Sequence, residues 1–276
     1  MKVSSIVFAI MLFTVNISFA AIIKTNDFKI IENNIQTTNT GTLLIFDVDD
    51  VLLQPKDQLL KSHNEGYFEK IYQSMETRTN KNQAEKLFSL IMIQRKVEPV
   101  EKQIVKLVNT AQKNGIKVLA LTFCSTGKLG TINSLEDWRT KELKVLGYNF
   151  DKSWGKLTKK IFNQLPINGS NKFVAFQQGI LFTGGVSKAA ALNVFLNYAD
   201  HKPKKIIFVD DKKYNLEIVE KFANEANIEF LGIEYTFVQD SKIEPLNKIR
   251  ARLQLEILEK EHKWLSDQEI DPKIIN

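Results

Sequence analysis

Three short runs of this chain are apolar almost throughout, and each stops at a polar tip. Residues 43–46 run into Asp47, 116–121 into Thr122, and 205–209 into Asp210 and Asp211. Strands without polar alternation are buried on both faces, and such strands belong to parallel sheets covered by helices on either side. Between the runs, apolar residues recur at helical spacing: Val100, Ile104, Leu107, Val108 and Ala111 follow Pro99 at the first turn of one helix, and 188–198 and 215–226 read as two more. Glu229 to Phe237 supplies a further strand, and 173–176 with 179–182 reads as a β-hairpin. The expectation is an α/β fold, a doubly wound, mostly parallel sheet with its site outside the carboxyl ends of the strands.

The first tip is the most demanding. Successive strand side chains alternate faces, so Asp47 and Asp49 point the same way, and two adjacent carboxylates repel unless a proton or a cation stands between them. Oxygen-only ligands suit a hard ion, Mg²⁺ above all. The plain alternative is turn chemistry, for which aspartate is common. Three later segments offer what a magnesium phosphoryl-transfer site would still lack. Thr122 brings a hydroxyl, Gly184-Gly185-Val186-Ser187-Lys188 opens a helix with an ammonium, and Asp210-Asp211 adds acids with Asn215 just beyond.

This ordered set resembles the four motifs of the haloacid dehalogenase (HAD) superfamily. The resemblance implies that Asp47 is the nucleophile that forms an aspartyl-phosphate and that Asp49 is the general acid/base. It also implies that Thr122 and Lys188 hold the phosphoryl oxygens. The Mg²⁺ ligands would be Asp47, the backbone carbonyl of Asp49 and an acid of the last motif; Asp211 aligns best, with Asp210 beside it in support. An acid at Asp49 favours phosphate over carbon–halogen chemistry, because a halide leaves without a proton. Departures from the pattern are Val51 where threonine is frequent, Asn215 where many members carry a second acid, and an unusual context at Phe123-Cys124-Ser125-Thr126-Gly127-Lys128. Ser125, Thr126 and Lys128 line the substrate mouth in one reading and a solvated loop in another.

Residues 55–97 interrupt the core after its first strand with two apolar stripes, Tyr67, Phe68, Ile71 and Tyr72, then Ala84, Leu87, Phe88, Ile91 and Met92. An insertion at this place in the resembled family is a cap. The division is therefore 1–20 signal peptide, 21–54 and 98–276 core, 55–97 small helical cap, with 21–42 as an extended arm and a long tail helix available for a dimer contact. Lys2, the apolar run 3–17 and Ser18-Phe19-Ala20 describe a signal peptide cut after Ala20, with an uncleaved anchor as the alternative. Either places the catalytic part outside the cytoplasm, periplasmic or secreted, and free of the membrane once cleaved. One cysteine, Cys124, excludes an intramolecular disulfide framework.

The net charge of +6 is scattered as lysine, which attracts anionic substrates without indicating nucleic-acid binding. The function expected is an exported, Mg²⁺-dependent phosphatase for a small phosphomonoester. The alternatives are a phosphotransferase, or a non-catalytic binding protein on the same scaffold. No residue pattern separates a nucleotide from a sugar phosphate or a lipid headgroup.

Overall fold

The computed structural model describes residues 21–157, 159–165 and 172–275; the expected signal peptide at 1–20 lies outside them. In chain order, β1 (Ala21–Thr25) and α1 (Phe28–Gln36) precede β2 (Thr42–Phe46). There follow β3 (Leu53–Pro55), two short 3₁₀ turns, α2 (Glu65–Arg78), α3 (Lys81–Gln94) and β4 (Val97–Pro99). Next come α4 (Lys102–Lys113), β5 (Lys117–Thr122), α5 (Leu135–Val145), α6 (Asp151–Trp154) and the strands β6 (Lys160–Phe162), β7 (Val174–Gln177) and β8 (Ile180–Phe182). The chain continues through α7 (Lys188–Tyr198), β9 (Lys205–Asp210), α8 (Lys213–Glu225), β10 (Glu229–Tyr235), α9 (Phe237–Asp240), α10 (Lys248–Glu261) and α11 (Asp267–Ile275).

Eight strands form one sheet in the order β1-β10-β9-β2-β5-β8-β7-β6, parallel except near one edge, where β7 runs antiparallel to both β8 and β6. The apolar runs are apolar throughout because both faces are covered. Leu44, Phe46, Val118, Ala120, Ile207 and Val209 enter a core with α1 and α4. Their alternating neighbours Leu43, Ile45, Leu119, Leu121, Ile206 and Phe208 enter a second core with α7, α8 and Trp154. Each strand thus feeds two cores with a period of two, the fold class that the alternation of elements predicts.

The hairpin between β7 and β8 turns on Gln178 and Gly179, both at positive φ (49° and 78°). A Cβ at position 179 would collide with the backbone carbonyl of Phe150, so only glycine fits there. Two expectations are corrected. The segment 21–42 is not an extended arm: β1 adds to the sheet edge beside β10, and Asp27 then caps α1, its Oδ1 accepting from the Lys29 amide at 2.9 Å. Phe28, Ile31 and Ile35, three and four residues apart, bury that helix. Pro99 closes β4 rather than opening a helix, and α4 begins three residues later.

The insertion after β2 is helical, as expected. β3 and β4 pair antiparallel as its stem, and α2 and α3 stand above it. A third apolar cluster joins Leu59, Met75, Ala84, Leu87 and Ile91 of the insertion to Ala251, Leu258 and Trp264 of the tail. The tail therefore packs with the inserted helices. Trp264 Nε1 donates to Asp57 Oδ2 at 2.8 Å, the Asp267 amide donates to the other oxygen of the same buried carboxylate at 3.0 Å, and Arg78 pairs with Glu259 at 2.6 Å. Among the described residues no helix is long and apolar enough to cross a membrane.

Candidate active site

The tip of β2 is held to its neighbour by one more rung of the ladder, the Asp47 amide donating to the Val209 carbonyl at 2.9 Å. The chain then folds back: the amides of Leu52 and Leu53 both donate to the Val48 carbonyl, and Asp50 adopts a left-handed backbone, φ 60°. Asparagine, aspartate and glycine tolerate that conformation best. Asp210 ends β9 in the adjacent position, so two parallel strand ends place their acids side by side.

Lys188 reaches this pair from the first residue of α7. The Ser187 hydroxyl caps that helix, accepting from the Ala190 amide at 3.3 Å. The ammonium lies 2.7 Å from Asp47 Oδ1 and 2.6 Å from Asp210 Oδ2, its side chain only 1% exposed. Asp210 is further held by the Lys212 amide (2.9 Å) and by Asn215 Nδ2 at 2.9 and 3.2 Å. Asp211 is more open and accepts from Gln239 Nε2 at 2.9 Å. One carboxylate oxygen from each of Asp47, Asp210 and Asp211 can be chosen so that all three lie within 4.8 Å of one another.

Three carboxylates meet one buried ammonium here, with the exposed Lys212 beside Asp211. Burial, above all, pushes the Asp47 carboxyl well above its ordinary value, opposed by Lys188 and reinforced by Asp210 and Asp211. Burial and then the Asp210 carboxylate push Asp211 up to about 6. Burial disfavours the charge on Lys188, but Asp47 and Asp210 outweigh it and hold the ammonium above its ordinary value. Hard oxygen donors with uncompensated negative charge fit a divalent cation such as Mg²⁺. Asp47, Asp210 and Asp211 are the residues that would hold it.

Asp47, Asp49, Asp211, Lys212 and Asn215 form the floor of a cavity of about 500 Å³. The inserted helices roof it with Phe68, Phe88, Ile91 and Met92. A second cavity of about 1070 Å³ continues past Phe68 and Phe88 and is lined by Ser125, Thr126 and Lys128.

The site residues expected from sequence are not all brought into one cluster. Asp47, Lys188, Asp210 and Asp211 converge. Asp49 lines the same cavity, but its Oδ2 is bound by Arg139 Nη2 at 3.0 Å. Thr122 ends β5, the strand beside β2, and is buried, its hydroxyl oxygen accepting from the Cys124 amide at 3.1 Å. Burial pushes the Cys124 thiol up to about 11, which keeps it protonated and unreactive at neutral pH. Sequence reasoning missed Arg139 and Gln239. Both lie in ordinary amphipathic segments, and only the tertiary fold brings them to the acids.

The family described as "Protein of unknown function (DUF2608)" matches residues 24–271. An uncharacterised protein of Rickettsia prowazekii, RP296, is 28% identical over 86% of this chain and 84% of its own length. A protein of Chlamydia muridarum, provisionally named as an outer membrane protein, is 28% identical over 75% of this chain and 73% of its own length. A Chlamydia trachomatis protein of the same provisional name is 29% identical over 70% and 68%. No solved structure gives a significant match. A match over nearly the whole described length makes this chain a member of the DUF2608 family, whose function is unknown.

Proposed function

We propose that this protein is an exported, metal-dependent phosphatase that acts on phosphomonoesters through an aspartyl-phosphate on Asp47, in the manner of the HAD superfamily it resembles. The observation that carries this reading is Lys188, which bridges Asp47 and Asp210 beneath the floor of a roofed cavity, where the carboxylates of Asp47, Asp210 and Asp211 suit a divalent cation. Export is supported by the signal-like residues 1–20 and by the provisional naming of the chlamydial relatives.

Each residue has a task that its position suits. An Asp47 carboxylate oxygen attacks phosphorus as the ester P–O bond breaks, and the bond's electron pair leaves with the alcohol oxygen, which takes a proton from Asp49. Water then attacks the phosphoryl group and gives its proton to Asp49; the Asp47–phosphorus bond breaks and inorganic phosphate departs. Lys188 holds Asp47 in its attacking direction and offsets the charge of the phosphoryl oxygens. Asp210 holds Lys188, and the apolar roof keeps bulk water from the phosphoenzyme. A bound Mg²⁺ supplies further charge neutralisation at those oxygens.

The test is phosphate release from p-nitrophenyl phosphate by residues 21–276. Turnover with Mg²⁺ that stops with EDTA, and falls by at least about 10³-fold in Asp47→Asn at unchanged melting temperature, is the expected result. No turnover, together with no rise in melting temperature on adding Mg²⁺ and beryllium fluoride, would replace the phosphatase with a binding protein on the same scaffold.

A further inference from the structure

Arg139 is 5% exposed, and a guanidinium is seldom buried without a specific reason. Its two terminal nitrogens are divided between two carboxylates: Nη2 to Asp49 Oδ2 at 3.0 Å and Nη1 to Glu142 Oε2 at 2.7 Å. Glu142 in turn receives a bidentate fork from Arg95, with contacts of 3.0 and 3.2 Å to Oε1 and 3.1 Å to Oε2. Arg95 and Arg139 both lie over the Trp138 ring, 5.2 and 4.7 Å from its centroid, and Trp138 Nε1 is tied to the Met92 carbonyl at 3.1 Å. Charges alternate along the whole series, Asp49, Arg139, Glu142, Arg95. It begins at the acid beyond the nucleophile and ends in the residue that caps α3 of the roof.

Here the Asp49 side chain is 54% exposed and faces the cavity, while the arginine that grips it is sealed away. The arrangement immobilises a solvent-facing carboxylate from behind. A short side chain on a loop, left to itself, samples several rotamers, and general acid–base catalysis requires the proton-transferring oxygen within hydrogen-bond reach of the leaving oxygen.

We infer that Arg139 is the positioning residue for Asp49, and that Glu142 and Arg95 hold Arg139 and tie it to the roof. This rests on the phosphatase reading. Asp49 gives its proton to the leaving alcohol and later takes one from water; Arg139 exchanges no proton and forms no bond to substrate.

Leaving-group dependence tests it. A simple alkyl phosphate needs a proton on its leaving oxygen, whereas p-nitrophenolate leaves readily as an anion. Arg139→Met should therefore lower kcat for the alkyl ester on the order of 10²-fold, and for p-nitrophenyl phosphate much less, with KM little changed. Combined with Asp49→Asn, it should add almost nothing to the loss that Asp49→Asn causes alone. Glu142→Gln, which leaves Arg139 in place but loosened, should show the same leaving-group bias at smaller size, and serves where Arg139→Met does not fold. Equal losses on both esters, or losses that multiply in the double variant, would overturn the inference. A wild-type protein without turnover removes the phosphatase reading itself, before any variant is compared, and the inference falls with it.

Discussion

At the residue scale the site is an argument about charge. Lys188 is the one ammonium between two carboxylates that are almost wholly out of water, and removing it leaves both without their cation. Lys188→Met should destabilise the protein by about 3–5 kcal/mol, the usual cost of breaking a buried pair from one side, and chemical denaturation measures it directly. Asp211 supplies the pH dependence. Its ordinary value of 3.8 rises to about 6 in the fold, so the folded state binds a proton that the unfolded state has released. That contribution to stability is fully present below about pH 4 and is lost as the pH rises through about 6. A divalent cation competes for the same oxygen. The rise in melting temperature on adding Mg²⁺ should therefore be larger at about pH 7.5 than at about pH 5, and a rise of equal size at both would show that Asp211 is not a ligand.

At the scale of elements, what the sequence showed and what it concealed have physical reasons. The tips of β2 and β9 were legible because a strand buried on both faces reads as an unbroken apolar run, and Asp47 and Asp210 interrupt those runs. The start of α7 was legible because Gly184-Gly185 and the Ser187 cap announce it one residue before Lys188. The division between Asp210 and Asp211 was offered only by the resemblance, since adjacent residues differ in pattern only by the face they occupy; the fold turns Asp210 to Lys188 and leaves Asp211 on the cavity. Arg139 was hidden for another reason. It looks like any polar position of an amphipathic helix until α5 settles beside the loop after β2. The short strand β1, with only partial burial, lacks the apolar run that marks a central strand. The tail helix was visible by its spacing, yet spacing does not say what a helix packs against. It packs on the roof, and Leu258, fully buried in that cluster, is the residue to remove. Leu258→Ala should cost about 2–5 kcal/mol and loosen α2 and α3 as well as α10. Hydrogen exchange mapped to peptides would locate the loosening, and a change confined to α10 would contradict this account.

At the scale of the whole molecule, three apolar clusters lie in two layers of dependence. Two sandwich the sheet, while the third joins the inserted helices to the tail and stands apart above the strand ends. Cooperative units of lower stability tend to follow such divisions. Amides of α2, α3 and α10 should exchange with one common opening free energy, lower than that of β2, β5 and β9; three separate values would show that roof and tail open independently. The contact between Asp57 and Trp264 joins residues from opposite ends of the sequence, and it sets an order of events during synthesis. Asp47, Lys188 and the acids at 210 and 211 have all left the ribosome while the tail is still being made. The nascent chain can form the floor of its cavity, but not the finished roof, until its last residues emerge. A protein released early by a stop codon before 258 would carry the full set of acids beneath a roof held only by its contacts with the core, without the tail that packs on it.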